Sequence, residues 1–238
     1  MSTVTYKVFD SVATITLNRP NQVNAFNVTM RDDLFRVLEL YRDDRNAHSA
    51  LLCGSGNKGF CSGADLSEFG TAPSQVIARS VRWERDLWGL FLTLRKPIVA
   101  ALHGYVIGSG VEIASLCDIR IAAENTKFRM PESGLGLLPA AGGTQTLPRL
   151  IGQNKAMKML LTGDEIDVRH AKKYCLIDRI VPNSDLIDES FEVASELTSI
   201  PPFTIALIKG LVRDGMDLPL DKGLYLERLA ALKHGVKG

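Results

Sequence analysis

The chain has 238 residues, of which 45% are hydrophobic and 23% are charged, and its formal net charge is +1. This composition is ordinary for a globular protein, so a sizeable core is expected and intrinsic disorder is not. A net charge this close to zero excludes a strong general attraction to nucleic acid or to a membrane surface. The four cysteines include no C-x-x-C pair, which predicts reduced, mostly buried thiols. The N-terminal sequence lacks a basic region followed by an apolar one, and we therefore predict a cytoplasmic protein.

The first half of the chain alternates between strand and helix patterns. Residues 3–8 and 11–17 are short and rich in Val, Thr and Ile, and they predict a β-hairpin. From Asn27 onward apolar residues recur at three- and four-residue steps, which is typical of an amphipathic helix. A buried strand is expected at residues 49–53, and a long helix at residues 75–95.

The second half continues this alternation and then becomes wholly helical. We expect strands at residues 97–107 (with a bend), 118–123, 127–129 and 178–181. We expect helices at residues 109–117, 142–151, 154–161 and 167–174, and again from residue 185 onward. Alternating strands and helices indicate the α/β class. The change near residue 190 predicts a mixed core at residues 1–190 and a helical region at residues 191–238.

Residues 97–117 form a long, mostly apolar run that could be mistaken for a membrane span. The run opens with Pro97, carries His103 and Glu112, and is interrupted by three glycines. A buried strand followed by a buried helix fits this pattern better than a membrane helix does. We therefore predict no membrane partner.

A glycine-rich loop, Gly54-Ser55-Gly56-Asn57-Lys58-Gly59, literally matches the G-x-G-x-x-G pattern of dinucleotide-binding proteins. That fold would require a helix to begin within the loop, whereas a second turn-like stretch follows here. The favoured interpretation is a loop whose backbone approaches a ligand or a neighbouring strand closely.

A second glycine group, Gly108-Ser109-Gly110, lies between an apolar strand and a helix. Free amide N–H groups at a helix N-terminus suit an oxygen that becomes anionic during a reaction, although glycines here also simply permit a tight turn. Glu112 follows inside an apolar stretch, where a carboxylate costs desolvation unless it is paired or used. The alternative is a glutamate that points to solvent from the start of the helix.

Glu132 ends a predicted strand in a glycine-rich corner, and a surface ion pair with Arg129 is the alternative to a functional role. The two glutamates are more informative together than apart. Two carboxylates at the ends of neighbouring strands can act on one water molecule, with one accepting its proton and the other exchanging a proton with a substrate carbon. Chemistry at a carbon next to a carbonyl also requires stabilisation of the enolate oxygen, which the glycine-containing turns can supply through backbone amides.

Taken in order and with their spacing, these segments resemble the enoyl-CoA hydratase/isomerase (crotonase) family over nearly the whole chain. The segments that carry the likeness are Leu17-Asn18-Arg19-Pro20 with Asn24-Ala25-Phe26; Gly59-Phe60-Cys61-Ser62-Gly63-Ala64-Asp65-Leu66; Lys96-Pro97-Ile98-Val99-Ala100-Ala101 with Gly108-Ser109-Gly110-Val111-Glu112-Ile113-Ala114 and Cys117-Asp118-Ile119-Arg120; and Phe128, Pro131-Glu132, Gly136-Leu137-Leu138-Pro139 and Gly142-Gly143-Thr144-Gln145. The resemblance implies an α/β crotonase-type (ClpP/crotonase) spiral of ββα units with a C-terminal helical region. It also implies a homotrimer or a homohexamer built from two trimers.

The resemblance further implies roles for individual residues. Glu112 would activate water for attack at the β carbon of an enoyl thioester, and Glu132 would deliver a proton to the α carbon. The oxyanion hole would be the backbone N–H groups of Ser62 and Ser109. Ser109 departs from the glycine that the family commonly has there, and its side chain would narrow the site.

An acyl-CoA thioester is the implied partner, with coenzyme A as part of the substrate and neither a metal nor a separate cofactor. The expected coenzyme A contacts are Arg19, Ala25, Lys58, Ala64, Asp65 and Leu66. A solvated surface role is as plausible for Arg19 and for Lys58. The expected acyl pocket draws on Phe69, Trp83 and Trp88, although large apolar residues are more often core than pocket.

The function predicted from the sequence is enoyl-CoA hydration to a 3-hydroxyacyl-CoA. Other crotonase reactions stay open, namely dienoyl-CoA or cyclic dienoyl-CoA hydration, enoyl-CoA isomerisation and thioester hydrolysis. Isomerases of this family often lack the first glutamate, so the presence of both favours hydration. The alternative of another class is a non-catalytic paralogue that binds RNA or a partner protein.

Overall fold

The computed structural model describes residues 2–68 and 85–234 of the chain. Its strands are β1 (Val4–Phe9), β2 (Val12–Leu17), β3 (Ser49–Gly54), β4 (Ile98–Leu102), β5 (Tyr105–Ile107), β6 (Ile119–Ala123), β7 (Lys127–Arg129), β8 (Ile166–Asp167) and β9 (Arg179–Val181). Its helices are α1 (Val28–Asp43), α2 (Leu87–Thr93), α3 (Ser109–Leu116), α4 (Gly143–Ile151), α5 (Gln153–Thr162), α6 (Val168–Tyr174), α7 (Leu186–Thr198), α8 (Pro202–Met216) and α9 (Leu220–His234).

A six-stranded sheet in the order β1-β2-β3-β4-β6-β9 forms the centre of the molecule. β1 and β2 are the predicted antiparallel hairpin, and every later neighbour in this sheet is parallel. Both faces of the parallel strands are buried, as such strands require. Ile15, Leu52 and Ala100 belong to the core on one face, whereas Leu51 and Val99 belong to the core on the other.

Helix α1 covers the first of these faces. It begins where the sequence predicts, because the side chain of Asn27 accepts a hydrogen bond from the amide of Met30 at 2.9 Å and so caps the first turn. Its buried side chains follow the helical period and pack into the core; they are Met30, Leu34, Leu38 and Tyr41.

The apolar run at residues 97–117 folds as two strands and a helix. The expected single bent strand is instead β4 in the central sheet and β5 in a second, three-stranded sheet of order β5-β7-β8. Gly104, with φ +51°, makes the bend, and a side chain there would collide with the carbonyl of Lys58. Among the described residues, no helix is long and apolar enough to cross a membrane.

The expected domain boundary at residue 190 falls within a helix. Helix α7 runs across this position and packs on the second face of the central sheet, through Ala194 and the partly buried Phe191. Helix α7 therefore contributes core side chains on both sides of residue 190, namely Leu186 and Ala194. The division into two domains stays a prediction. Of the helix predicted at residues 75–95, α2 lies in the described part, and residues 69–84 lie outside it.

Candidate active site

Glu112 lies on the first turn of α3 and is 2% exposed. Its Oε1 accepts hydrogen bonds from the backbone amides of Ala141 at 3.0 Å and Gly143 at 2.9 Å. These amides belong to the turn that leads into α4, so a distant segment holds the carboxylate. The alternative in which Glu112 points to solvent is therefore wrong.

Glu132 approaches the same corner of the molecule from β7. The amide of Gly108 donates to the carbonyl of Arg129 at 2.9 Å, which brings the end of β7 beside the start of α3. A Cβ atom on Gly108 would lie 2.6 Å from Oε1 of Glu132, so the glycine is needed for this close approach. Both carboxyl groups thus lie near the N-terminal end of α3. The side chain of Arg129 donates to the carbonyl of Gly163 at 2.6 Å rather than pairing with Glu132.

The surroundings of Glu132 favour its protonated form. Burial raises the pKa of this carboxyl above its ordinary value. Its Oε2 atom is buried and has no hydrogen-bond partner among the described residues. Burial thus shifts Glu132 towards the protonated form, which is the form that a general acid requires.

The structure corrects the predicted oxyanion amide at Ser62. The Ser62 N–H donates to the carbonyl of Val23 at 3.0 Å, so this donor is already used within the fold. Sequence reasoning could not find this bond, because Val23 and Ser62 are far apart in the chain. The N–H of Ser109, the first residue of α3, donates to no backbone carbonyl in the described part of the chain.

The amide of Ala64, unlike that of Ser62, is not used within the described part of the fold. It forms a parallel β-bridge with Phe26, in which Phe26 donates to the carbonyl of Gly63 at 2.7 Å and accepts from the amide of Asp65 at 3.1 Å. In such a bridge the groups of residue 64 itself point away from Phe26. Within residues 2–68 and 85–234, the Ala64 N–H reaches no backbone acceptor.

The Ala64 segment also lies beside the start of α3. A Cβ atom built on Gly63 would lie 3.1 Å from the carbonyl oxygen of Ile107 and 3.8 Å from the Cα of Gly108. The amides of Ala64 and Ser109 therefore belong to adjoining segments of backbone, at the end of the molecule where the two glutamates are found.

This arrangement agrees with what the chain is similar to. The family model described as enoyl-CoA hydratase/isomerase matches residues 8–234. The chain belongs to the enoyl-CoA hydratase/isomerase family. A probable mitochondrial enoyl-CoA hydratase from Dictyostelium discoideum is 36% identical over 220 residues, which cover 91% of this chain and 77% of that protein. An (E)-benzylidenesuccinyl-CoA hydratase from Thauera aromatica is 36% identical over 228 residues, which cover 95% and 88%.

Solved structures of enoyl-CoA hydratases share the fold. An enoyl-CoA hydratase from Bacillus anthracis matches with a TM-score of 0.90 at 33% identity, covering 96% of this chain and 89% of that one. One from Mycobacterium smegmatis matches with a TM-score of 0.92 at 25% identity, covering 100% and 92%. The predicted crotonase-type α/β fold is therefore confirmed.

The expected coenzyme A contacts of this family member fall into two groups. Lys58, Ala64 and Leu66 are exposed, and they stay predictions as ligand contacts. The side chain of Arg19 instead turns inward, where its Nη1 donates to the Asp65 carboxylate at 2.9 Å and to the carbonyl of Ala25. Arg19 and Asp65 are thus engaged with each other rather than presented to solvent.

The expected acyl pocket is described only in part. Trp88 lies on α2, is partly buried, and has its ring 6.1 Å from the ring of Phe26, centroid to centroid. Trp88 therefore packs against Phe26, the bridge partner of Ala64. Phe69 and Trp83 lie outside the described residues.

The described residues contain no group of three or more His, Cys, Asp or Glu side chains that could hold a metal ion. All four cysteines are free thiols; Cys53, Cys61 and Cys117 are buried, and Cys175 is exposed. Burial raises the pKa of the Cys61 thiol to about 12, so this neighbour of the site is protonated and unreactive near neutral pH.

Proposed function

We propose that this chain catalyses the syn addition of water to a 2-enoyl-CoA thioester, which gives a 3-hydroxyacyl-CoA. The observation that carries the proposal is the placement of the buried Glu112 and the partly buried Glu132 near the N-terminal end of α3, where the amides of Ala64 and Ser109 have no backbone acceptor in the described structure. The chain's membership of the enoyl-CoA hydratase/isomerase family supports the same reaction class.

In this proposal the amides of Ala64 and Ser109 donate to the thioester oxygen. Negative charge develops on that oxygen when a nucleophile attacks the β carbon, so donors fixed in advance stabilise the transition state more than the substrate. Removing one such donor in other enzymes costs about 2.7–4 kcal/mol of barrier. These two amides are therefore proposed as a main source of the rate.

The two glutamates divide the proton transfers. Glu112, whose Oε1 is held by two amide hydrogen bonds, removes a proton from the water whose oxygen bonds to the β carbon. Glu132, whose pKa burial raises, donates its proton to the α carbon as the enolate collapses. Return of the proton from Glu112 to Glu132 then closes the cycle.

The natural acyl group is a separate question, to which the relatives give only a range. Among proteins of similar identity, one is named a short-chain-enoyl-CoA hydratase and another an (E)-benzylidenesuccinyl-CoA hydratase. Part of the expected acyl pocket lies outside the described residues. Substrates for the first assay should therefore cover short, long, dienoyl and aromatic enoyl thioesters.

The test follows the loss of the ultraviolet absorbance of the enoyl thioester across this panel. Glu112→Gln and Glu132→Gln should each fold normally and lower the hydration rate by at least about a hundredfold. Glu124→Gln is the control, since it removes the charge of an exposed glutamate outside the proposed site, and it should keep the full rate. A near-full rate in either active-site variant would show that the role assigned to that glutamate is wrong.

We also propose that the protein works as a homotrimer or as a pair of trimers. The support is the family resemblance together with exposed apolar side chains on α8 and α9, which include Val212, Leu220, Leu224 and Tyr225. A non-catalytic RNA-binding role would instead appear as salt-sensitive RNA binding without turnover on any thioester.

A further inference from the structure

Arg19 forms an ion pair with Asp65, directly beside the bridge between Phe26 and Ala64. Its side chain is 17% exposed and that of Asp65 is 16% exposed, with 2.9 Å between Nη1 and Oδ2. The same nitrogen donates to the carbonyl of Ala25. One guanidinium thus ties together two chain segments that lie about forty residues apart in the sequence.

These contacts flank the β-bridge that orients the Ala64 amide. Ala25 directly precedes Phe26 and Asp65 directly follows Ala64, so Arg19 grips the residue next to each member of the bridging pair. The direction of the Ala64 N–H depends on the rotation of the peptide plane between Gly63 and Ala64. We call the contacts of Arg19 with Asp65 and with the Ala25 carbonyl the clamp. The bridge to Phe26 and the clamp together restrict that rotation.

The backbone of Arg19 is itself held firmly. Its amide donates to the side chain of Asn24 at 2.9 Å, and its carbonyl accepts from the amide of Asn24 at 2.9 Å. Asn24 is fully buried, and its Nδ2 donates to the carbonyls of Ser55 and Gly59. The guanidinium therefore extends from a fixed turn, and a fixed base is what a positioning side chain needs.

We propose that Arg19 is a positioning residue, which holds the Ala64 amide in line with the thioester oxygen through Asp65 and the Ala25 carbonyl. The proposal rests on the proposed function, because it assigns the Ala64 amide to the oxyanion hole. It replaces the expectation that Arg19 binds a phosphate of coenzyme A. The two roles differ in what they predict: a phosphate ligand acts on substrate binding, whereas a positioning residue acts on the transition state.

The experiment compares Arg19→Met, Arg19→Lys and Asp65→Asn with the unaltered enzyme. Loss of the clamp should lower kcat by about ten- to a hundredfold, less than the loss of a whole oxyanion donor, with KM changed less than about threefold. Arg19→Lys should restore part of the loss, because lysine keeps a charged nitrogen donor but carries it on a shorter side chain than the one that brings Nη1 to both acceptors. Arg31→Met is the matched control: Arg31 is 13% exposed and pairs with Asp32 at 2.8 Å on α1 rather than with Asp65, so kcat should not change.

A second readout reports on the oxyanion hole directly. The probe is a 2,4-hexadienoyl-CoA labelled with ¹³C at the thioester carbonyl, whose stretching frequency falls when hydrogen bonds polarise the C=O bond. In Arg19→Met and Asp65→Asn the frequency of the bound probe should move back towards its value in water, whereas in Arg31→Met it should match the unaltered protein.

The outcomes separate the alternatives. A raised KM with unchanged kcat and unchanged carbonyl frequency would mean that Arg19 binds coenzyme A. No change in kcat, KM or carbonyl frequency would mean that the clamp does not affect the oxyanion hole. Either result overturns the proposal. If Arg19→Met does not fold, Asp65→Asn, which keeps the side-chain shape, decides the question by the same two readouts. If the unaltered protein polarises the probe but hydrates no thioester, the proposed function fails, and the carbonyl frequency alone still tests the role of Arg19.

Discussion

The two glutamates of the candidate site differ in their hydrogen-bond partners. Glu112 receives hydrogen bonds from the amides of Ala141 and Gly143, whereas Glu132 has a buried oxygen with no partner among the described residues. Hydrogen bonds favour the ionised form of a carboxyl group and burial favours the neutral form. The difference in hydrogen bonding supports the opposite proton transfers that are proposed for the two glutamates.

The raised pKa of Glu132 predicts a pH-dependent effect on stability. Because the folded protein binds this proton more tightly than the unfolded chain does, the contribution to stability is complete below the unfolded pKa and is lost as pH rises through the folded pKa. Glu132→Gln removes that loss, so its melting temperature should gain on the unaltered protein as pH rises from 4 to 8. Thermal unfolding across this range measures the difference, with the exposed Glu124→Gln as control. A difference that stays constant with pH would contradict the prediction.

Gly143 predicts a steric effect on the same site. A Cβ atom there would lie 2.9 Å from Oε1 of Glu112 and 3.0 Å from Cε of Met130, so Gly143→Ala should displace the carboxylate by a few tenths of an ångström. Since small errors in placing a catalytic group are costly, the hydration rate should fall about tenfold or more. A Cβ on Gly134, in the loop after Glu132, meets nothing within 4 Å, so the rate of Gly134→Ala should equal that of the unaltered enzyme. Equal rates in both variants would argue against a fixed Glu112.

At the scale of elements, polar contacts as well as apolar packing attach α8 to the core. Lys209 is 8% exposed and its Nζ lies 2.6 Å from the carboxylate of Asp118 and 2.8 Å from the carbonyl of Lys96. Arg213 donates to carbonyls at the end of α2, including that of Leu92 at 2.8 Å. Arg213 thereby satisfies backbone acceptors that the end of α2 leaves open.

The Lys209 contact predicts a measurable share of the stability. Lys209→Met leaves the Lys96 carbonyl without this donor, while the Asp118 carboxylate keeps its contacts with the amide of Ile98 and the side chain of Arg213. The free energy of unfolding should therefore fall by about 1–3 kcal/mol. Lys222→Met breaks an exposed pair with Asp221, and such pairs contribute at most about 1 kcal/mol. Urea unfolding of both variants measures the two values, and similar losses would mean that α8 is held by other contacts.

At the scale of the whole molecule, α9 exposes several large apolar side chains, which is unfavourable for a monomer in water. Leu220 is 79% exposed and Leu232 is 74% exposed, and Tyr225 lies between them. Exposed apolar residues that cluster on one element are typical of a surface that packs on another chain. This surface is the part of the described structure that best fits the proposed subunit contacts.

Assembly can be tested with a pair of matched leucines. Light scattering after gel filtration should give the mass of three or six chains for the unaltered protein. Leu224→Lys, on α9, should lower that mass because it places a charge in the apolar contact, whereas Leu40→Lys, on α1 and also about half exposed, should leave it unchanged. A monomeric unaltered protein would rule out the proposed trimer.

The sequence by itself determined the elements and the two acidic residues. Periodicity gave the β1–β2 hairpin and α1, because alternation and helical spacing are local properties of the chain. A glutamate within an apolar stretch predicted a buried carboxylate, and Glu112 is buried. The family resemblance supplied the fold and the roles proposed for both glutamates.

Only the tertiary structure decided where the backbone donors and the arginine point. The amide of Ser62 donates to the carbonyl of Val23, and the bridge with Phe26 directs the amide of Ala64 away from Phe26. The side chain of Arg19 donates to Asp65. Each of these outcomes depends on a partner from another part of the chain. Local pattern specifies whether a residue is extended, helical or buried, but the direction of an N–H group or a guanidinium is set by the segment that happens to pair with it.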